Sequence, residues 1–244
     1  MNRIQKTFAR CKAEGKAAYV AYLTMGAPTL EKSFQAVETL LGEGVDILEL
    51  GVPFSDPVAD GAVIRAAAQK ALANGVTLDD VLAGVPALRA RHPETPIVIF
   101  TYYNIIFSYG LKRFAETAAA RGVDAVLVVD LPLEERDELL DVLRPAGLTF
   151  VPLLAPTTGP DRIRASAKGV EDSFLYAVTV KGTTGQRAAL PPELAARLTE
   201  IKRLVDMPVV AGFGIRTPEE GAQVAAHCDG FVIGSALVER FMKA

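Results

Sequence analysis

Three carboxylates surround the end of one apolar stretch in this 244-residue chain. Glu49 lies near the end of that stretch, and Asp56 and Asp60 follow in a loop rich in Gly, Pro and Ser. Acids grouped in this way are unfavourable unless they are solvated, paired with cations or used to transfer protons. This strand end is therefore the first candidate for acid–base chemistry.

Each acid also has an ordinary structural explanation. A glutamate at a strand end can pair with Lys or Arg, Asp60 stands where the N-cap of the next helix would stand, and Asp56 lies in a Ser-Asp-Pro turn. Asp130 is a further acid at the end of a later apolar run. Since His92 and His227 fall on or after helical segments, proton transfer is assigned to the carboxylates.

Eight short apolar runs recur along the chain, and most are continuous in Val, Ile, Leu and Ala. Continuous runs are typical of strands buried on both faces of a parallel sheet. The predicted strands are residues 17–24, 45–50, 96–102, 124–129, 148–154, 173–178, 207–211 and 230–233. Segments with helical spacing lie between them, among them residues 30–41, 62–74, 111–121, 134–143 and 192–205.

Eight strands that alternate with helices favour a single (β/α)8 TIM barrel over residues 1–244. A doubly wound open sheet is the alternative, but it rarely needs eight parallel strands without a second domain. Residues 2–14 predict an extra N-terminal helix that plugs the N-terminal mouth of the barrel. Only residues 235–244 follow the last strand, which predicts a shortened C-terminal helical segment. We expect that shortening to leave apolar surface near the eighth and first strands, to be covered by the extra helix or a partner chain.

Composition excludes several classes of protein. The formal net charge is −3 and no block of like charges occurs, so neither a nucleic-acid surface nor an anionic-membrane surface is indicated. No apolar run reaches the length of a membrane span, and the first residues lack the apolar core of a signal peptide. Two cysteines, Cys11 and Cys228, are too few for a disulfide framework, which fits a reducing compartment. We expect a cytoplasmic protein.

Glycines follow two successive predicted strands near the C-terminus. Residues 211–215 read AGFGI and residues 233–236 read IGSA, and residues 181–185 (KGTTG) add a flexible loop after the sixth strand. Glycine-rich strand ends and a helix N-terminus let backbone N–H groups approach a phosphate. Ordinary turns are the alternative explanation, but two such elements on successive strands favour a phosphate monoester as the ligand.

Residues 48–57 (LELGVPFSDP), with ADG at 59–61, resemble the signature of tryptophan synthase alpha chains. The likeness continues in order through residues 101–104 (TYYN), 130–135 (DLPLEE), 155–158 (APTT), 182–185 (GTTG), 212–215 (GFGI) and 234–236 (GSA). The resemblance implies retro-aldol cleavage of indole-3-glycerol phosphate to indole and glyceraldehyde 3-phosphate, without a metal or an organic cofactor on this chain. It also implies a β chain as partner in an α2β2 complex, with pyridoxal phosphate on that β chain.

By this resemblance, Glu49 is the general acid/base at indole C3 and at the side-chain hydroxyl, and Asp60 accepts the indole N–H. A glutamate among apolar residues should have a raised pKa, whereas Asp60, in a polar loop, should remain ionised. The implied walls of the indole pocket are Tyr22, Phe100, Tyr176 and Phe213. The implied phosphate-binding residues are Gly185, Gly214, Gly234 and Ser235. The implied partner-facing loop residues are Asp56 and Pro57.

The sequence departs from the family pattern in a few places. Ala62 follows the Asp-Gly of the first motif where Pro is usual, Phe100 replaces a usual Leu, and Ile105 stands where Pro is common. Residues 179–185 read TVKGTTG instead of Ser-Arg-x-Gly-Val-Thr-Gly.

Three alternative functions stay open. The chain could be a standalone lyase that releases free indole, or a weakly active alpha-like subunit that acts mainly as the allosteric partner of a β chain. The third alternative is another phosphate-binding barrel isomerase or aldolase, with Lys181 as its Schiff-base residue.

Overall fold

A computed structural model describes residues 1–178, 192–212 and 214–243. Its nine strands are all parallel and form one sheet in the order β5-β4-β3-β2-β1-β9-β8-β7-β6. They are β1 (Ala18–Thr24), β2 (Ile47–Gly51), β3 (Ile97–Thr101), β4 (Ala125–Val128), β5 (Thr149–Phe150), β6 (Leu153–Leu154), β7 (Leu175–Val178), β8 (Val209–Gly212) and β9 (Gly230–Ile233).

The short strands β5 and β6 are two halves of the fifth predicted strand. Between them, the N–H of Val151 donates to the carbonyl of Val126 at 2.9 Å, and the carbonyl of Pro152 accepts from the N–H of Tyr176 at 2.9 Å. Because this one segment bonds to β4 on one side and β7 on the other, the sheet closes on itself. The predicted TIM barrel is confirmed, and its fifth strand is interrupted at a proline, which lacks a backbone donor.

Helices follow most strands and cover the outside of the sheet. They are α1 (Arg3–Ala13), α2 (Leu30–Gly42), α3 (Ala62–Ala73), α4 (Leu78–Arg91), α5 (Tyr103–Tyr109), α6 (Leu111–Arg121), α7 (Asp137–Leu143), α8 (Pro160–Ala167), α9 (Pro192–Leu204), α10 (Pro218–Ala222) and α11 (Ser235–Met242). The predicted helix at 134–143 is divided into a 3-10 turn, Leu133–Glu135, and α7. Within the described ranges, no helix is long and apolar enough to cross a membrane.

Helix α1 closes the N-terminal mouth of the barrel, as predicted. Its Asn2 side chain accepts the N–H of Gln5, which fixes the start of the helix. Arg3 then forms an ion pair of 2.9 Å with Asp124, which directly precedes β4. On the buried side of the helix, the ring of Phe8 lies 5.6 Å from that of Phe174, which precedes β7.

The expected uncovered surface near the first and last strands requires a correction. Helix α11 packs against β1 and α3, and its Leu237 and Val238 are buried. Beneath it, the rings of Tyr19 on β1 and Phe231 on β9 stack at 5.3 Å and are both buried. The short C-terminal helix itself therefore covers this face, because its apolar side fits over β1.

Candidate active site

Strand register brings Glu49 into the interior of the barrel. Glu49 on β2 is the register partner of Tyr22 on β1 and of Val98 on β3. Side chains alternate across a strand, so Glu49 and Gly51 share one face of β2. The ring of Tyr22 lies directly over Gly51. A Cβ built at position 51 would stand only 2.4 Å from the Tyr22 Oη. Glu49 and Tyr22 therefore face the same interior space.

Glu49 is buried, and no described residue forms a hydrogen bond with it. Its exposed fraction is 1%, and neither Oε1 nor Oε2 has a hydrogen-bonding partner among the described residues. Burial alone raises the pKa of this carboxyl from its ordinary 4.5 to about 8. At neutral pH the group is thus mainly a neutral carboxylic acid that can donate a proton.

Asp60 is held by a tyrosine that sequence reasoning did not assign to the site. The Tyr102 hydroxyl donates to Asp60 Oδ2 at 3.0 Å and accepts the N–H of Ala59 at 3.1 Å. The ring of Tyr102 also stacks on that of Phe54 at 4.8 Å. The only sequence signal for this role was the position of Tyr102 within the TYYN motif, directly after β3.

The environment of Asp60 is less polar than its loop sequence suggests. Its side chain is half-buried, and this burial raises its pKa. The hydrogen bond from Tyr102 and the positive charge of Arg65 act in the opposite direction. Both neighbours therefore favour the ionised form of Asp60.

Three of the four aromatic residues assigned to the indole pocket lie around Glu49. The rings of Tyr22 and Phe100 meet edge-to-face at 4.9 Å. Burial, followed by the charge of Glu49, raises the pKa of Tyr176 on β7. Gly212 makes room for Tyr176, since a Cβ there would stand 2.3 Å from its ring. The fourth residue, Phe213, lies outside the described residues.

The proposed phosphate residues lie at the ends of adjacent strands. β8 and β9 are paired, and Gly214 follows the first while Gly234 and Ser235 follow the second. Gly214 has a φ of +41° and is exposed, and Ser235 is the exposed first residue of α11. The first N–H groups of a helix have no partner within it, which suits an anion. Gly185 lies outside the described residues.

Comparison with known proteins identifies the chain. The family model described as "Tryptophan synthase alpha chain" matches residues 8–244. The chain belongs to the tryptophan synthase alpha chain family. This family catalyses the lyase reaction that cleaves indole-3-glycerol phosphate, in tryptophan biosynthesis, so the predicted enzyme class is confirmed.

Individual relatives of this alpha chain agree over nearly their full length. The tryptophan synthase alpha chain of Citrifermentans bemidjiense is 47% identical over 243 residues, which are 100% of this chain and 90% of the relative. That of Chloroflexus aggregans is 44% identical and covers 98% of this chain and 90% of the relative.

Solved structures give the same result. The tryptophan synthase subunit alpha of Legionella pneumophila str. Paris superimposes with a TM-score of 0.91 at 39% identity, over 100% of this chain and 90% of that chain. A tryptophan synthase structure from M. tuberculosis in its aminoacrylate-bound form gives a TM-score of 0.89 at 32% identity, over 100% and 94%.

Other candidate acids and bases of this alpha chain lie away from Glu49 or serve local structure. Asp130 Oδ1 accepts the N–H of Tyr103 at 2.7 Å and so caps the start of α5. His92 lies 2.8 Å from Glu38 beside α4, and the ring of His227 contacts a threonine of α9. Among the residues described, no group of three or more His, Cys, Asp or Glu side chains could hold a metal ion.

The loop residues assigned to the partner lie on the surface. Asp56 is exposed and accepts a hydrogen bond from Ser55 at 2.5 Å, and Pro57 is half-buried. Val58 beside them is 85% exposed, and Phe107 on α5 is 60% exposed. Since β2 and β3 are neighbours, the segments that follow them place two exposed apolar side chains on the same rim of the barrel.

Proposed function

We propose that this alpha chain cleaves indole-3-glycerol phosphate by a retro-aldol reaction with Glu49 and Asp60 as its catalytic residues. The observation that carries the proposal is Glu49, a buried carboxyl that forms no hydrogen bond within the described part of the chain and whose pKa burial raises to about 8. Since a structural acid would be paired or solvated, an unpaired acid inside the barrel supports a role in proton transfer.

One carboxyl group, that of Glu49, can carry out both proton transfers of the reaction. Neutral Glu49 donates its proton to indole C3, and the bond between C3 and the first side-chain carbon weakens. The resulting Glu49 carboxylate then takes the proton of the hydroxyl on that carbon as the C–C bond breaks. The products are indole and an aldehyde, glyceraldehyde 3-phosphate, and Glu49 is returned to its acid form.

Asp60 has the complementary task at the indole nitrogen. Protonation at C3 places positive charge on the ring, and an ionised Asp60 that accepts the N–H stabilises that charge. Tyr22, Phe100 and Tyr176, with Phe213 as a fourth, supply apolar walls for the ring. We infer that the walls hold indole C3 near Glu49 while the pocket excludes water.

The phosphate is proposed to bind at the ends of β8 and β9. Gly214, Gly234 and Ser235 supply backbone N–H groups there, and Gly185 would add another from the loop after β7. A Cβ at Gly234 would lie 3.6 Å from Tyr22, so this end adjoins the aromatic walls. A single substrate can therefore reach both groups of residues.

Substitution of the two acids tests this mechanism. General acid–base catalysis contributes about 10²- to 10⁴-fold, so Glu49→Gln should lower indole release by that factor. Asp60→Asn should also lower kcat. The matched control is Glu116→Gln, which changes an exposed glutamate of α6. Indole release by Glu49→Gln at the wild-type rate would overturn the assignment.

The pH profile gives an independent check. Because Glu49 must start protonated, kcat should fall as pH rises through about 8, and because Asp60 must be ionised, it should also fall on the acid side. A profile that stays flat from pH 7 to pH 10 would contradict the role of Glu49 as the proton donor.

We also propose a tryptophan synthase β chain as the partner, in an α2β2 complex, with pyridoxal phosphate on the β chain. The exposed apolar residues Val58 and Phe107, beside Asp56 and Pro57, support docking at this rim.

Binding of a β chain can be tested directly. We expect this chain to co-elute with a β chain and to release indole faster in its presence, and Phe107→Asp should abolish both effects. A standalone lyase would show neither effect. An alpha-like subunit that acts mainly as allosteric partner would co-elute but release little indole alone.

Three further properties stay predictions from the sequence. They are a cytoplasmic location, the absence of any cofactor on this chain, and a single domain over residues 1–244.

A further inference from the structure

Thr24 is a buried threonine at the end of β1 that the mechanism above does not use. Its exposed fraction is 3%, and its Oγ1 lies 3.2 Å from the Tyr22 Oη, at hydrogen-bond distance. Within the described part of the chain, this is the only hydrogen bond of either hydroxyl. Because burying a hydroxyl costs free energy unless a partner compensates for it, the Thr24 hydroxyl serves Tyr22.

The register of the sheet shows where this pair of hydroxyls lies. Tyr22 and Thr24 are two residues apart on β1, so both side chains point into the barrel. Tyr22 is the register partner of Glu49, and Thr24 is the register partner of Gly51. The Tyr22 ring therefore begins at the level of the proposed proton donor, and its hydroxyl lies nearer the C-terminal rim.

The other described neighbours of the Tyr22 ring make van der Waals contacts with it. A Cβ at Gly51 would stand 2.4 Å from Oη, and one at Gly234 would stand 3.6 Å from the ring. Phe100 meets the ring edge-to-face at 4.9 Å. A hydrogen bond is more directional than such contacts, because it weakens steeply when its angle changes. Threonine is also stiff at χ1, so the Thr24 Oγ1 is a fixed anchor for the phenol.

We propose that Thr24 is a positioning residue that holds the Tyr22 ring in place as a wall of the indole pocket. The inference rests on the proposed function and extends it to a residue behind the pocket wall. Thr24 acts through Tyr22 and does not need to touch the substrate. Without its hydroxyl the phenol can tilt, so the indole ring is held less firmly beside Glu49.

The test compares indole release by Thr24→Val and Thr24→Ser. Valine has the shape of threonine without the hydroxyl, whereas serine keeps the hydroxyl. Loss of one neutral hydrogen bond corresponds to about a fivefold change, so Thr24→Val should lower kcat/KM about fivefold. Thr24→Ser should restore most of this loss.

Thr149→Val is the matched control. Thr149 is also a buried strand threonine, and its hydroxyl donates to Asp172 at 2.7 Å, but it begins β5 at the N-terminal end of the barrel. Its substitution should lower stability and leave kcat/KM unchanged at temperatures where the variant is folded. An equal loss of kcat/KM in Thr149→Val would show that any buried threonine has this effect and would overturn the inference.

A double-mutant cycle with Tyr22→Phe tests whether the two hydroxyls act together. Since Thr24 is proposed to act through Tyr22, Thr24→Val should cause little further loss of kcat/KM in the Tyr22→Phe background. Independent losses that multiply would contradict the inference. If Thr24→Val does not fold, Tyr22→Phe removes the same hydrogen bond and must show the loss by itself.

Inhibition gives a second readout that distinguishes the pocket wall from the phosphate end. Free indole should inhibit Thr24→Val about fivefold less strongly than wild type, because indole contacts the Tyr22 wall. Inorganic phosphate should inhibit both proteins equally, because its proposed site includes Ser235 and Gly214. Equal weakening of both inhibitors would indicate a general loosening of the barrel and would exclude a specific role for Thr24.

The inference is also wrong if Thr24→Val matches wild type in kcat/KM, or if Thr24→Ser loses as much as Thr24→Val. Glu49→Gln separates such a failure from failure of the proposed function. If Glu49→Gln loses indole release and Thr24→Val does not, only the role of Thr24 is refuted. Indole release by Glu49→Gln at the wild-type rate would instead refute the proposed mechanism.

Discussion

Both ends of this barrel bury carboxyl side chains, but those at the N-terminal end have ion-pair and hydrogen-bond partners and the one at the C-terminal end does not, among the described residues. At the N-terminal end, Asp124 precedes β4 and its side chain is only 7% exposed. It forms ion pairs with Arg3 at 2.9 Å and Arg89 at 2.6 Å and accepts the N–H of Ile97 at 2.8 Å. Asp46, before β2, is likewise buried and accepts the N–H of Tyr19 at 2.9 Å.

At the C-terminal end, Glu49 is also buried, yet no cation or hydrogen-bond donor of residues 1–178, 192–212 and 214–243 contacts its oxygens. A buried carboxylate that is paired stays charged and links parts of the fold, whereas one without partners becomes neutral. The N-terminal end therefore uses acids for structure, whereas the C-terminal end holds the acid that we propose as the proton donor.

The largest expected effect is on the free energy of unfolding of Glu49→Gln as a function of pH. The pKa of Glu49 is 4.5 in the unfolded chain and about 8 in the folded protein. The folded wild type therefore loses stability as the pH rises from the first value through the second. The loss amounts to something on the order of 5 kcal/mol, and Glu49→Gln should be spared it. Urea unfolding at pH 5 and pH 9 measures the difference. Equal pH dependence in both proteins would show that Glu49 is solvated or paired.

The second prediction concerns the opposite end. Asp124→Asn leaves Arg89, whose side chain is only 14% exposed, without its carboxylate partner. We expect the free energy of unfolding to fall by about 3 kcal/mol, with indole release unchanged at temperatures where the variant is folded. The control is Asp161→Asn, because Asp161 is fully exposed in its pair with Arg164. Similar stability in the two variants would contradict the structural role of Asp124.

The third prediction tests the close approach of Tyr22 to β2. In Gly51→Ala the new methyl group would stand 2.4 Å from the Tyr22 Oη, so the ring must move. Overpacking of this kind costs about 1–3 kcal/mol, and indole release should fall because the pocket wall shifts. Gly42→Ala is the control, since a Cβ there meets nothing within 4 Å. Unchanged activity in Gly51→Ala would mean that Tyr22 is not a wall of the pocket.

The smallest effect is expected for Tyr102→Phe. The variant removes the hydrogen bond of 3.0 Å to Asp60 and the one of 3.1 Å from Ala59, at a cost of about 1 kcal/mol. Because the hydrogen bond also lowers the pKa of Asp60, the acid side of the activity profile should move to higher pH. Tyr109→Phe is the matched control, as its hydroxyl bonds the exposed Asp79 at 3.0 Å. Equal behaviour of the two variants would remove Tyr102 from the site.

Local patterns predicted many elements correctly because their information lies within a few residues. Strand β9 and helix α6 have the predicted bounds, and Gly122, with φ of 93°, ends α6 as a left-handed cap. The chain position of the fifth strand was also correct. Its division at Pro152 was not predicted, because a strand with two different neighbours is a property of the closed sheet.

Helix α7 shows another limit of local reasoning. The helical pattern at 134–143 continues through Arg136, but the structure breaks there into a turn and a helix. The guanidinium of Arg136 is buried and donates to the carbonyls of Ser166 and Lys168 at the end of α8. These acceptors lie about thirty positions after Arg136 in the sequence, so no local pattern could indicate them.

Residue types and short-range periodicity were enough to indicate the family, the order of strands and helices and the strand end at which the acids lie. The ionisation of the acids follows from folding instead: Glu49 is buried with no partner among the described residues, and the Tyr102 hydroxyl donates a hydrogen bond to Asp60. A pKa depends on desolvation and on charges brought together by folding, which no stretch of sequence contains on its own.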